Sequence, residues 1–439
     1  MNRYLPPTLN PVLLTGSLDP DSYRLDNGVE VYELSGGSAD VIKIDILLAA
    51  GSRYQPSPLC ASAVNRLLTE GTESFSSSQI SERVDFHGAF LQGNSDKDHA
   101  SLTLLVPRRH LETLLPLFAE VMVSPSFPSD ELDIFRDKRK QRFQIERTKV
   151  KVLAQAAFNQ ALFGPQHPYG HRLQLSDFDH LSREQLAAFH KQHYLKGGWR
   201  MVVSGTAHPS DRRLLNHYLG QIRFDAAPFQ ENRLPALPES ACNRFVLRDD
   251  AVQSALRLGI TMPVRNHPDY VGLTVLNTLL GGYFGSRLMQ NLREEKGYTY
   301  GIHSVMIPLV KASFLVIVSE VGSDVTLPAL NEIYREVTRL SEEEAGEEEL
   351  NLVKSQMVGE MIRLLDGPFA KADYLASLLD HNILPSSIES EMAEIMAITP
   401  TRVMELANRY LPLSGLTRVV SGPSVANPGF PVVLAAEGD

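Results

Sequence analysis

The chain repeats itself once. "LSREQLAAFHKQHYLKGGWRMVVSG" at 181–205 and "ITPTRVMELANRYLPLSGLTRVVSG" at 398–422 share one layout, offset by 217 residues. Each opens on a Ser or Thr placed to cap a helix and runs through an amphipathic helix to a tyrosine. A glycine then turns the chain into a β-branched strand that closes in Val-Ser-Gly. A second pair, "AVNRLL" at 63–68 and "VLNTLL" at 275–280, is offset by 212 residues. Two similar offsets, near half of a 439-residue chain, indicate duplication of a whole domain rather than a short-period solenoid. They predict similar halves at 1–223 and 242–439, joined by the proline-bearing linker "FDAAPFQENRLPALPESA" at 224–241.

Within the first half, "VEVYELS" and "VIKIDILLAAGS" read as paired strands, followed by a helix and the strand "ASLTLLVP". A long helical region, "SDELDIFRDKRKQRFQIERTKVKVLAQAAFNQALFG", comes next. The fold class this predicts is α+β: two similar domains, each a mostly antiparallel sheet with helices packed on one face.

Composition narrows the function. Hydrophobic residues at 43% and charged residues at 21% are the balance of a globular protein. A formal charge of −10 argues against a nucleic-acid partner, which needs a basic face. The two cysteines, Cys60 and Cys242, do not make a disulfide framework and suit a reducing compartment. No apolar run approaches the roughly 20 residues of a membrane span, and the N-terminus lacks the apolar core of a signal peptide. The expectation is a cytoplasmic protein without a membrane partner.

No Gly-x-Ser-x-Gly, reactive cysteine setting or Gly-x-Gly-x-x-Gly loop is present. His190 and His193 stand three apart on one predicted helix, and His167 and His171 flank a predicted turn. With 13 histidines in the chain, such pairs read as surface or packing features rather than ligands.

Six stretches in consistent order carry a stronger signal: "LLAAGSRYQ", "LLTEGTES", "SPSFPSDEL", "LFGPQHPYGHRL", "REQLAAFHKQHYLKGGWRMVVSG" and "LLGGYFGSRLMQNLREEKGYTYG". Together they resemble the pitrilysin/insulinase superfamily of inverted-motif zinc peptidases, in particular its mitochondrial-processing-peptidase-like branch of two-domain subunits. Active members of that family carry His-x-x-Glu-His just before a Gly-Thr pair. Two histidines at i and i+4 share a helix face and hold Zn²⁺, the Glu activates water, and a distal Glu completes the set.

Anchored on Gly71-Thr72, the motif falls on Ser62-Ala63-Val64-Asn65-Arg66. Ser62 and Arg66 stand in the histidine places and Asn65 in the place of the base. Arg142 and Phe143 stand near the place of the distal glutamate. Asn65 cannot take up a proton near neutrality, and Arg66 presents a fixed positive charge to any cation. The resemblance therefore implies a degenerate zinc motif, with no metal and no cofactor in this chain.

The resemblance also implies what is kept. Arg293 and Tyr300 match an Arg/Tyr pair that faces the metal across the substrate chamber and hydrogen-bonds the substrate and the tetrahedral oxyanion. Gly93, Asn94 and Ser95, in "AFLQGNSD", lie on the edge strand that binds peptide by main-chain pairing. In the family this edge usually reads Asn-Ala-x-Thr, from which the present stretch departs.

The chain is thus expected to be the non-catalytic subunit of a heterodimeric zinc peptidase that cleaves peptides or unfolded segments. It would be inactive alone, its partner a homologous zinc-bearing subunit with His-x-x-Glu-His. The short glycine loop in "LNTLLGGYFGSRL" implies a bacterial-type homologue rather than a dedicated presequence receptor. The alternative function is a proteolytically inactive scaffold or peptide-binding homologue.

Overall fold

A computed structural model describes residues 17–224, 233–384 and 387–433. The first half builds strands β1 (Asp21–Arg24), β2 (Glu30–Ser35), β3 (Val41–Leu48), β4 (Phe90–Ser95), β5 (Ala100–Pro107) and β6 (Arg200–Gly205). The second half builds β7 (Asn243–Leu247), β8 (Gln253–Met262), β9 (Thr299–Ile307), β10 (Ser313–Gly322), β11 (Thr417–Gly422) and β12 (Val432–Val433). Six helices matter below: α1 (Cys60–Leu67), α2 (Ser129–Glu146), α3 (Val150–Phe163), α4 (Arg183–His193), α5 (Tyr270–Asn277) and α6 (Gly367–Asp380). Residues 225–232 of the expected linker lie outside the described residues.

The strand orders are β1-β2-β6-β3-β5-β4 and β12-β7-β11-β8-β10-β9. Five positions correspond one to one, so β4 and β9 are counterpart edge strands. β2–β6 and β7–β11 pair parallel and the other central pairs antiparallel. The sixth strands differ: β1 pairs antiparallel to β2, β12 parallel to β7.

Alternation builds the sheets. Ile42, Ile44, Ile46 and Leu48 of β3 all point into the first half's own helical core. The second half's inward set includes Leu256, Leu258, Leu315 and Ile317. Each half thus lays its own helices on one face of its sheet, the expected α+β layout.

The opposite faces are covered by exchange. Helix α3, from the first half of the sequence, lies on the second sheet, packing Leu153, Ala157 and Phe158 against Ala255, Phe314 and Val419. Its polar flank is tied down by Arg257 Nε donating to Gln155 Oε1 at 3.2 Å and by Arg244 Nη1 donating to Gln160 Oε1 at 3.2 Å. Gly259 admits the Phe158 ring: a Cβ there would lie 2.6 Å from its Cζ. Reciprocally, α6 lies on the first sheet, where Tyr374, Leu375 and Leu378 share a core with Leu34, Leu47 and Val202. Lys43 Nζ donates to Asp373 Oδ1 at 2.5 Å, and Arg200 donates to the Leu379 carbonyl. α3 and α6 begin 217 residues apart, the offset of the sequence repeat, so they are equivalent helices that trade places.

Truncating a buried phenylalanine typically costs about 3–5 kcal/mol. Phe158→Ala is therefore expected to lower the urea midpoint, although the residue precedes the sheet it covers by some 100 residues. The single tryptophan, Trp199, is buried in the first half's core and reports on that half. Its transition should shift together with the circular dichroism of the whole chain. An unmoved Trp199 transition in this variant would show that the halves unfold independently.

Candidate functional site

Helix α1 packs beneath edge strand β4, and the three motif positions on it are occupied by internal contacts. Ser62 Oγ donates to the Leu59 carbonyl at 2.9 Å. Asn65 is 3% exposed, and its Nδ2 reaches Ser101 O of β5 at 3.1 Å and the Tyr194 hydroxyl at 3.3 Å. A Cβ on Gly93 would come within 2.5 Å of Asn65 Oδ1, so β4 is seated directly on this amide. Arg66 pairs with Glu70 at 2.9 Å and projects to solvent. On α2, exposed Arg142 pairs with Glu146 at 2.8 Å, while Phe143 turns inward against Phe178, ring centroids 5.5 Å apart.

Among the described residues, no group of three or more His, Cys, Asp or Glu is placed to hold a metal ion. The residues at the positions expected from sequence to hold zinc do not fit it. A carboxamide in contact with a glycine and a guanidinium paired with Glu70 just past the helix offer neither a ligand set nor a base.

β4 presents Gly93, Asn94 and Ser95 on a free sheet edge. Among the described residues they pair on one side only, with Leu102, Ser101 and Ala100 of β5. The β4–β5 turn then ends in Asp98, which is buried and ion-paired to Arg53 at 2.6 Å.

In the second half, α5 and its continuation Thr278–Gly282 lead to an aromatic between glycines, and a second wide π-type turn follows at Met289–Glu295. π-type turns are rare and recur at functional sites. The Arg293 guanidinium lies over the Phe284 ring at 4.8 Å from its centroid, a cation–π contact, and Nε lies 3.6 Å from Glu294. Tyr300, near the start of β9, is 94% exposed. Tyr298 instead packs partly buried against the second core. Phe284, 62% exposed, was not anticipated from sequence; "GGYFG" flags it only as an aromatic held between glycines.

Residues 35–166 match the family model described as insulinase (peptidase family M16), and residues 180–357 match the one described as the peptidase M16 inactive domain. The chain belongs to the insulinase peptidase family. An uncharacterized zinc protease of Mycobacterium tuberculosis is 25% identical to this insulinase-family chain over 314 residues, 68% of the chain and 70% of that protein. Cytochrome b-c1 complex subunit 1 of Bos taurus is 25% identical over 279 residues, covering 59% of the chain and 55% of that protein. A peptidase M16 inactive domain from Pseudomonas fluorescens shares the fold, with a TM-score of 0.84 at 23% identity over 92% of this chain and 98% of that one. A protease from Helicobacter pylori shares it at 0.85 and 20% identity, over 92% and 100%.

The histidine pair of this insulinase-family chain belongs to the packing. His190 Nε2 donates to the Met122 carbonyl at 2.8 Å, and the ring stacks on Tyr194, centroids 5.1 Å apart. His193 lies against Phe189 at 4.3 Å. His167 is buried and its Nδ1 accepts from Tyr169 N at 3.1 Å, whereas half-exposed His171 lies 3.7 Å from Asp177.

Burial pushes both the His190 and the His193 imidazole down to about 4. The unfolded chain protonates such a ring near pH 6.5, so it binds more protons than the folded chain between pH 6.5 and 4. Stability is full above that window and falls as the pH drops through it. For His190, 4% exposed, the loss between pH 7 and pH 5 is about 2 kcal/mol. In His190→Asn, which keeps a donor but does not titrate, the stability difference between these pH values should shrink by that amount. Equal differences in urea titrations of variant and parent would show that His190 is not held neutral.

Proposed function

We propose that this chain is the zinc-less subunit of a two-chain zinc peptidase acting on peptides or unfolded segments. Its partner is a homologous subunit carrying His-x-x-Glu-His, which supplies the metal. The observation that carries the reading is a contrast between the halves. The metal-motif positions Ser62, Asn65 and Arg66 are used up in local contacts, whereas Tyr300 stands out into solvent and Arg293 is held over an exposed ring.

In this reading a substrate peptide adds to the free edge at Gly93–Ser95, where main-chain hydrogen bonds tolerate many sequences. Arg293 and Tyr300 donate hydrogen bonds to the carbonyl oxygen as it gains negative charge. Neither group changes protonation state in doing so, and donors set in place beforehand need no reorganisation. The similarity to cytochrome b-c1 complex subunit 1 supports a second reading, a paired subunit that binds or scaffolds without proteolysis.

Co-expression with a homologue bearing His-x-x-Glu-His, followed by peptide hydrolysis with and without chelator, separates the two. Loss of one preorganised oxyanion donor costs about 10²–10³ in kcat. Arg293→Ala and Tyr300→Phe are expected to cost that much in the mixed complex, with assembly and partner zinc content unchanged. Arg293→Lys should also be poor, because a point charge does not reproduce the two-pronged donor. Full activity of both the 293 and 300 variants in a verified complex sinks the peptidase reading and leaves the scaffold.

A further inference from the structure

The start of β9 is irregular in a way that concerns Tyr300. β9 pairs with β10 in steady register from Phe314↔Ile307 to Ser319↔Ile302, and then Val321 pairs with Thr299. Tyr300 and Gly301 therefore stand opposite Glu320 alone. This is a β-bulge, one extra residue in one strand, a device that re-aims a side chain. Its effect here follows from strand alternation. Ile302, Ser304 and Met306 are all buried, so in an unbroken strand Tyr300 would share their inward face. The bulge breaks that phase, and Tyr300 is 94% exposed instead.

A bulge leaves backbone groups without ladder partners, and here two hydroxyls supply them. Thr299 Oγ1 accepts from Gly301 N at 3.1 Å and lies 2.9 Å from Gly301 O and 2.8 Å from Glu320 O. Ser319, buried on β10, places Oγ 3.0 Å from Gly301 O and 3.0 Å from Thr299 Oγ1. The two side chains thus bracket Gly301 from both strands. The bulge does not depend on glycine at 301: a Cβ there would contact nothing within 4 Å.

We propose that Thr299 and Ser319 are positioning residues, a hydroxyl clamp that fixes the bulge and so turns Tyr300 from the core side of β9 to its open side. The consequence for turnover rests on the reading in which Tyr300 contacts substrate; the consequence for the aim of Tyr300 does not.

Two measurements test it. In the isolated chain, tetranitromethane should nitrate Tyr300 quickly, read by fragment mass spectrometry, which separates it from Tyr298. Ser319→Ala and Thr299→Val should slow that reaction several-fold while circular dichroism stays native, and Thr299→Ser should restore it. In the mixed complex, misaiming by about 1 Å is expected to lower kcat on the order of 10²-fold with KM little changed. Thr299→Val added to Tyr300→Phe should cost nothing further. Unchanged nitration in both folded variants overturns the clamp, as does full kcat for both in a complex that Tyr300→Phe cripples. If Tyr300→Phe is itself silent in a verified complex, Tyr300 takes no part in turnover, and the nitration result alone decides the clamp. Should Thr299→Val not fold, Ser319→Ala carries both measurements.

Discussion

A buried carboxylate ties the two edge strands together. Asp98, in the turn after β4, accepts from Arg53 Nε at 2.6 Å, from the Tyr169 hydroxyl at 2.5 Å and from the backbone N–H of Val310 at 3.0 Å. Val310 lies in the turn after β9, so the tips of both edge hairpins meet at one charge. A buried carboxylate with too few donors costs several kcal/mol. Its three donors, drawn from three separate stretches of chain, therefore fix the hairpins relative to each other. The carboxylate in turn holds the Tyr169 phenol well above its ordinary range, with burial as the larger cause. The neighbouring His99 adds a contact at 3.7 Å to Asp380, at the end of the exchanged helix α6.

That junction works only because the halves are already interlocked. An open sheet has two faces to cover, and each half supplies its own helices for one face only. α3 and α6 close the remaining faces crosswise, so neither sheet is complete without a helix from the other half. The exchange is symmetric, matching the repeat offset, whereas the Asp98 junction is not. The duplicated architecture sets the halves face to face, and one asymmetric charge cluster selects the distance between β4 and β9.

How much of this the sequence carries depends on the range of the interaction. The repeat was legible because whole segments recur with their caps and Val-Ser-Gly ends, and strand alternation gave the sheets. The exchange was not, since the apolar face of "VKVLAQAAFNQALF" says that a helix is covered but not by which sheet. Asn65 reads as unfit for metal from its side chain alone, yet its contact with Gly93 depends on a strand almost 30 residues away in sequence. The bulge at Tyr300 was hidden for a different reason. "TYGIHSVMI" has an ordinary strand pattern, and only the opposing register of β10 shows that one residue is extra. Phe284 likewise gains meaning from a guanidinium nine residues further on.

The counterpart strands β4 and β9 are both seated closely on the helical segments below them, through different contacts. β4 is held down at Asn65, where even a methyl group on Gly93 would collide with the amide oxygen. Beneath β9 the equivalent contact is at Ser304, whose Oγ donates to the Asn277 carbonyl at 3.1 Å, and a Cβ on Gly281 would lie 2.6 Å from its backbone N. Position 65 therefore has no room for a longer side chain without moving an edge strand whose far end is pinned at Asp98. Histidines grafted at 62 and 66 do not meet that contact, since Arg66 projects to solvent; the strand stands in the way of a glutamate at 65. The seating of β4 on Asn65 and the bulge that bears Tyr300 are thus set by separate contacts in different halves of the chain.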